Sequence, residues 1–299
     1  MKIESNSPPI INKLKPMPSQ KAAAGVSETK TLSEIKLNRQ SSQQRIINWF
    51  SQVGVQSDSS PLKMSTSNER IQRKKEVLEQ RKLINLEKIL GKAIDFCLDD
   101  GKEEELDPDW FFSFVKMAEE IFSSTMQELW GKIFAVETAR PGSFSLKTLG
   151  MLKQLTQKDA QIFRHAVNLA SKRKGESTPK ILLGYYQKTN LWSFFSSNKE
   201  HRLNLAEFGL GYPDILSLMD LGLIHHSEIE SGELPLDIST EWRCAGQTLY
   251  LTTKRKGTIL VYYKFTTTGA ELCKLVTRKQ QDAYVKSLKN TLSNAFNLV

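Results

Sequence analysis

Residues 141–145, PGSFS, are the point where residue types and spacing come closest to catalytic chemistry. Two serines beside a glycine could form a nucleophile loop, a phosphate cradle or a connector between helices. The stretch lacks the GxSxG pattern of a strained nucleophile turn and the GxxxxGK[ST] pattern of a phosphate loop. Pro141 and Gly142 end a helix well, and Ser143 or Ser145 is suited to cap the next one. The sequence therefore predicts a helix connector.

The histidines and cysteines do not combine into a catalytic or metal site. His225 and His226 would point to opposite faces of a strand, so they cannot easily share one metal ion. His165 lies near the apolar row of a predicted helix, where a structural histidine is more common than a ligand. Cys97 falls on an apolar row and is predicted to be core, and Cys244 has no convincing base near it. We therefore predict no metal, no cofactor and no enzymatic activity.

The overall composition is typical of a soluble protein with some non-globular chain. Of 299 residues, 39% are hydrophobic and 25% are charged. No run approaches the roughly 18 apolar residues of a membrane span, and the first residues lack the apolar region of a secretory signal. The three cysteines are separated and show no CxxC spacing, which favours reduced thiols. These features predict a cytoplasmic protein without a transmembrane segment.

The net charge of +9 is unevenly distributed along the chain. Residues 1–82 hold 15 Lys and Arg against 7 Asp and Glu, or +8. Residues 83–239 hold 17 against 23, or −6, and residues 240–299 hold 10 against 3, or +7. Basic ends of this kind can contact nucleic acid, an anionic membrane or an acidic partner, or can serve only solubility.

Residues 1–67 are predicted to be a disordered basic tail. Five prolines lie among Ser, Gln and Lys, and no apolar period is sustained. One short apolar row interrupts this pattern at the spacing of a single helix face: Ile46, Trp49, Phe50 and Val53. Such a row either docks into a partner's groove or folds back onto its own domain.

Residues 68–156 are predicted to form a helical domain. The first helix starts near Ser67, and its apolar residues recur at heptad spacing, which indicates packing in a bundle or a dimer seam. That row is Leu83, Leu86, Leu90, Ala93 and Cys97. Asp107 followed by Pro108 is a strong helix start, because the side chain caps the helix and proline suits its first position. Thr156 marks a further start.

Residues 157–299 are predicted to form a winged-helix-like domain with a C-terminal helix. Residues 248–253 and 258–265 are rich in β-branched and aromatic residues and therefore predict two strands. A basic turn, Lys254, Arg255 and Lys256, joins them. Short helices precede the strands and a helix from Ala270 follows them. The fold class predicted for the whole chain is mainly α with a small β-hairpin.

Two resemblances accompany these patterns. LTTKRKGTILVYYKFTTTGAELCKL, preceded by DILSLMDLGLI, resembles the end of many bacterial winged-helix domains, although a long insertion separates Ile224 from Thr248. LWGKIFAVETARPGSFSLKTLGMLKQLTQKDAQIF is similar to an uncharacterised bacterial domain-of-unknown-function family and also resembles the abortive-infection alpha family. The second resemblance covers roughly residues 68–165. It implies a bacterial helper or antiviral defence protein, and it carries over no catalytic residues.

Two classes of function follow. The first is a non-enzymatic interaction protein that binds a protein partner or a second copy of itself, with phage defence suggested by the resemblance. The alternative is a winged-helix nucleic-acid-binding protein or transcriptional regulator that contacts phosphates through the basic turn and Lys264. The helix expected to enter the groove carries Asp214 and Asp220 and no cation. That charge favours the interaction protein slightly.

Overall fold

The computed structural model describes residues 42–56, 66–97, 105–188 and 201–298, and the chain divides into two compact units, Met1–Leu78 and Glu79–Val299. Helix α1 (42–51) and the start of helix α2 (Ser67–Asp95) belong to the first unit. Gly54, with φ of +78°, ends the turn after α1 and lies against α2. A Cβ at Gly54 would stand 2.8 Å from the Cα of Lys74, so this close approach requires glycine.

The predicted disordered tail falls mainly outside the described residues, because residues 1–41 and 57–65 are not among them. Its described parts are 42–56, which is a helix and a turn, and 66–67, where α2 begins. The short helix predicted around Trp49 is therefore confirmed.

The second unit begins with a layer of helices. Their starts follow the capping chemistry of the sequence, since Asp107 accepts a hydrogen bond from the N–H of Asp109 and Ser145 accepts one from Thr148. Thr156 and Asp159 form a capping box. These helices are α3 (Pro108–Ala118), α4 (Ser124–Ala139), α5 (Leu146–Gln154) and α6 (Gln157–Asn168).

The packed face of helix α2 matches the predicted heptad row only in part, because Leu86 and Ala93 of the row lie against the core. Ile89 and Ala93 are buried, whereas Leu83, Leu90 and Cys97 are exposed. The prediction that Cys97 is core is therefore wrong. The buried face also contains Asn85, which hydrogen bonds to Gln127 of α4 and to the carbonyl of Glu119. Because Asn85 is polar, the spacing of apolar residues alone does not reveal which face of α2 packs against the core.

In the described residues, an antiparallel sheet of eight strands dominates the rest of the unit. Seven strands form the path β4-β7-β2-β1-β5-β6-β8, and β3 pairs with β2. The strands are β1 (Ser171–Arg173), β2 (Lys180–Gln187), β3 (His201–Arg202), β4 (Ile229–Glu233), β5 (Ser239–Cys244), β6 (Gln247–Thr253), β7 (Thr258–Lys264) and β8 (Phe296–Leu298). Between them lie helices α7 (Tyr212–Asp220), α8 (Thr267–Leu272) and α9 (Asp282–Leu292), with short 3-10 turns at Leu205–Phe208 and Cys273–Leu275.

The predicted fold class, mainly α with a small β-hairpin, is wrong, because the fold is mixed α/β with this large sheet. The two strands predicted to form the hairpin do exist as β6 and β7. They do not pair with each other, since β6 pairs with β5 and β8 and β7 pairs with β2 and β4. The wing of a winged helix is therefore not formed.

The sheet is strongly curved. The rings of Tyr185 in β2 and Phe296 in β8 lie 6.2 Å apart, although β1, β5 and β6 separate these strands in the sheet order. Tyr284 of α9 donates a hydrogen bond to the carbonyl of Leu182 in β2. One connected hydrophobic core joins the helical layer to the inner face of the sheet. The predicted domain boundary after residue 156 stays a prediction.

Candidate interaction surfaces

The PGSFS connector joins α4 to α5 and is organised by a buried carboxylate. Glu137, only 2% exposed, accepts hydrogen bonds from the backbone N–H of Gly142 at 2.6 Å and of Phe144 at 2.8 Å. Gly142 takes φ of +79°, as expected where a helix ends. The predicted connector is confirmed, and Glu137 satisfies the backbone groups that the turn leaves without helical partners.

Both serines of the connector are engaged in structural hydrogen bonds. The Ser143 hydroxyl donates to the carbonyl of Arg140 at 2.7 Å. Ser145 donates from its N–H and its hydroxyl to the carboxylate of Glu271 on α8, at 2.7 and 3.0 Å. Lys274 donates to the carbonyl of Ser143 at 2.8 Å. These contacts fasten the connector to α8 and engage both serine hydroxyls.

Burial raises the pKa of the Glu137 carboxyl above its ordinary value, and this effect exceeds the lowering by the backbone N–H groups and by Lys274. Sequence reasoning did not find Glu137. Its signal is a position seven residues after Trp130 and four after Ile133, both fully buried, which places a carboxylate on the apolar stripe of α4. A carboxylate there must find hydrogen-bond donors.

The thiols and histidines offer no reactive cluster. Burial raises the pKa of the Cys244 thiol to about 11 and that of the Cys273 thiol to about 12, so both remain protonated at neutral pH. Cys244 is fully buried, with no exposed surface. His225 and His226 are exposed after a β-bridge at Ile224. In the parts of the chain that the structure describes, no group of three His, Cys, Asp or Glu residues could hold a metal ion.

The basic turn between β6 and β7 brings three predicted nucleic-acid contacts together. Lys254, Arg255 and Lys256 are all exposed there. Lys254 donates from its ammonium to the carbonyl of Ser293 at 3.0 Å, which restricts its side chain. Glu233 accepts a hydrogen bond from the N–H of Gly257 at 2.9 Å, so one carboxylate lies at the base of the turn.

Lys264 does not join this group. It ends β7, seven residues long, so it lies roughly 20 Å from the turn at about 3.3 Å per residue. Its Cα partner is Lys180 of β2, and its side chain is half-buried. The four cations predicted to act together therefore occupy two separate places.

The apolar row on α1 is present as a continuous exposed face. Ile46, Trp49, Phe50 and Val53 are 58, 70, 57 and 37% exposed. Their spacing of three, four and seven residues places them on one side of the helix. The N–H of Val53 donates to the carbonyl of Phe50, so the row continues into the turn after the helix. The predicted role of these four residues in binding a partner stays a prediction.

The chain belongs to the family described as "Protein of unknown function (DUF2806)", which matches residues 69–289. This match supports an uncharacterised domain family, as the sequence resemblance implied. It does not extend to the abortive-infection alpha family. In the same comparisons, no curated protein and no solved structure matches the chain.

None of the helices within the described ranges is both long enough and apolar enough to cross a membrane. Even α2, with 29 residues, carries charged side chains throughout its length.

Proposed function

We propose that this protein is a non-enzymatic interaction protein that docks onto a partner protein through α1. The observation that carries this proposal is the exposed face of Ile46, Trp49, Phe50 and Val53. Large apolar side chains at i, i+3, i+4 and i+7 are the anchors of helix-in-groove recognition. Tryptophan and phenylalanine are also the residue types that dominate binding energy at such interfaces.

The charges around α1 favour a partner groove with an acidic rim. Arg45 lies on α1, and the first turns of α2 add Arg70, Arg73, Lys74 and Lys75 in the same compact unit. Only Glu69 and Glu76 oppose them within the described part of that unit. Basic residues around the apolar face attract an acidic partner towards it and repel a basic partner.

The docking experiment places a photo-crosslinking amino acid at position 49 in cells, with position 112 as the matched control. Phe112 is 69% exposed on α3, close to the 70% of Trp49. We expect a protein that crosslinks at position 49 and not at position 112. That protein should bind a synthetic peptide of residues 42–56 and lose affinity at least about tenfold when Trp49 and Phe50 are both alanine.

Equal crosslinking at the two positions would contradict docking through α1. So would binding of the captured protein to the doubly substituted peptide with unchanged affinity. The row also has the composition of a helix that lies on a membrane surface. If the peptide binds tightly to anionic vesicles and no protein partner is found, α1 binds a lipid surface and not a protein.

The cellular role that we propose for this interaction is phage defence by abortive infection. The support is the sequence resemblance of LWGKIFAVETARPGSFSLKTLGMLKQLTQKDAQIF alone. Expression in a sensitive host followed by plating of a broad phage panel tests this role. Reduced plating that depends on Trp49 and Phe50 would support it, and unchanged plating with confirmed expression would contradict it.

A second candidate function is binding of nucleic acid through the basic turn, without a winged helix. The favouring observation is the exposure of Lys254, Arg255 and Lys256 on one short turn. Changing all three to alanine should weaken binding to any duplex similarly and make the log-log salt slope shallower by about 0.9 per lost phosphate contact. A matched control removes three exposed lysines elsewhere: Lys147, Lys158 and Lys286. Equal behaviour of the two triple variants would contradict this candidate.

A further inference from the structure

A second basic surface lies away from the β6–β7 turn, on the outward face of the sheet. Here β1, the turn after it, β5 and the loop before α9 surround an open depression of about 640 Å³. Five cations line it: Lys172, Arg173, Lys174, Arg243 and Arg278. We call this surface the basic depression. Two carboxylates, Glu176 and Glu241, also line it, so the cations exceed the anions by three.

The strand pairing explains why these cations face outward together. In β5 the side chains alternate, with Trp242 and Cys244 buried and Arg243 exposed. Lys172 in β1 is the direct cross-strand partner of Arg243. Since partners in an antiparallel pair project to the same face, the two cations stand side by side on the outer surface.

The carboxylates of the depression do not neutralise this pair. Glu241 binds Lys174 at 2.6 Å, and Glu176 binds the buried Lys180 at 2.5 Å. Across the described residues, no carboxylate forms an ion pair with Lys172, Arg243 or Arg278. Like charges placed directly opposite each other destabilise a sheet. The fold carries the energetic cost of the Lys172–Arg243 pair on its outer face, where the positive charge is exposed to solvent.

Arg278 is held at the edge of the depression by the loop around it. The backbone N–H of the next residue, Lys279, donates to the side chain of Asn168 at 2.9 Å, and Asn168 is only 8% exposed. Gln280 lies against Gly246 in the turn between β5 and β6, where a Cβ on the glycine would be 3.7 Å from its Cα. The third unpaired cation is therefore positioned by buried structure rather than by a free loop.

An exposed aromatic ring extends the same face. Tyr250 of β6 is the cross-strand partner of Glu241 and is 43% exposed. Its neighbours along β6, Leu249 and Leu251, are buried, so Tyr250 projects outward with the cations. Proteins that hold single strands of nucleic acid combine a cationic surface for the phosphates with exposed aromatic rings on which bases stack.

We propose that the basic depression and Tyr250 bind a single strand of nucleic acid, with Lys172, Arg243 and Arg278 on its phosphates and Tyr250 stacked on a base. The open shape of the depression favours a strand passing across it over a small enclosed ligand. This site uses none of the three cations of the β6–β7 turn and does not depend on docking through α1.

The test measures binding of a fluorescent 20-nucleotide single strand to the full chain. The triple variant Lys172→Ala, Arg243→Ala, Arg278→Ala should bind at least about tenfold more weakly than the control that lacks Lys147, Lys158 and Lys286, which has the same net charge. Tyr250→Ala should weaken binding about tenfold and Tyr250→Phe should restore it, because phenylalanine keeps the stacking surface. Tyr212→Ala, at a 67% exposed tyrosine of α7, is the control for loss of a surface ring.

Thermal melting of every variant shows that a change in binding is not a loss of fold, and glutamine at the same three positions provides a second series.

Equal affinity of the two triple variants would overturn the proposal. Tighter binding of a duplex than of the single strand would overturn the strand assignment. Displacement of the strand by micromolar inorganic pyrophosphate would assign the depression to a small phosphate ligand instead. If only the Lys254, Arg255, Lys256 variant loses affinity, the β6–β7 turn is the site and this proposal fails alone.

Discussion

The PGSFS connector and the basic depression are both rich in polar groups, and they differ in how those groups are satisfied. In the connector, Glu137 and Glu271 each accept hydrogen bonds from identified donors, and both serines are engaged. In the basic depression, Lys172 and Arg243 are cross-strand partners, and no carboxylate of the described residues forms an ion pair with either of them. The polar groups of the connector have partners within the fold, whereas the basic depression carries cations that form no ion pair with a carboxylate of the described residues.

This difference shows what separates a structural polar cluster from a binding surface. A buried polar group that has its partners stabilises the fold and has nothing left to offer a ligand. Exposed charges of one sign, held together by strand pairing, keep a potential that only an external anion can neutralise. Mutations should therefore lower stability in the connector and lower binding in the depression.

The largest expected effect is at Glu137. Glu137→Ala removes the acceptor of two backbone N–H groups at a buried turn and should lower the free energy of unfolding by about 3 kcal/mol. Chemical denaturation measures this change. Glu128→Ala, on the exposed side of the same helix and ion-paired with Lys132, is the control and should change the free energy of unfolding far less than Glu137→Ala does. Similar losses in the two variants would show that the connector is not held by Glu137.

Glu271 should show the same kind of effect at smaller size. Glu271→Ala leaves the N–H of Ser145 without its acceptor, but the site is partly exposed and water can replace the carboxylate. We expect a loss of about 1 kcal/mol in unfolding free energy and no change in nucleic-acid affinity. A loss of affinity without a loss of stability would move Glu271 from the structural region to the binding surface.

The pH dependence of stability should distinguish Glu137 further. Its pKa in the folded protein is raised, so the folded state retains the proton more strongly than the unfolded state does. The stability from this group is present below pH 4.5, the ordinary pKa, and is lost as pH rises through the folded pKa. Glu137→Gln cannot titrate, so the difference in unfolding free energy between wild type and variant should decrease over that rise. A difference that increases with pH would show that the pKa is lowered instead.

The smallest expected effect has the opposite sign. Lys172→Ala relieves the like-charge pair with Arg243 and should leave the unfolding free energy unchanged or raise it by a few tenths of a kcal/mol. High salt should reduce the gain, because screening already weakens the repulsion in wild type. A clear loss of stability would mean that Lys172 has a stabilising contact and is not held at a cost.

Local signals in the sequence predicted the helices well. Asp107, Ser145 and Thr156 cap helices as expected, because capping depends on side chains only two or three residues away. The side of α2 that packs against the core was not predictable from its apolar residues alone. Asn85 lies in the packed face, and Leu83 and Leu90 lie outside it.

The sheet was largely missed because strand pairing is decided far along the chain. The strands β6 and β7 have clear β composition and a tight turn, and yet each pairs elsewhere. The segments SKR and IESGE, which form β1 and β4, lack the alternating β-branched pattern that marks a strand. The pairing of Lys172 with Arg243 therefore could not be read from residues 71 positions apart in sequence, and the basic depression could not be foreseen.

The salt dependence of single-strand binding tests the contrast between the two regions most directly. The logarithm of the dissociation constant is plotted against the logarithm of salt concentration for wild type, for Lys172→Ala, Arg243→Ala, Arg278→Ala, and for Glu137→Gln. We predict a slope shallower by about 2 in the triple variant, at about 0.7 per lost phosphate contact, and an unchanged slope in Glu137→Gln. A triple variant with the wild-type slope would contradict the account.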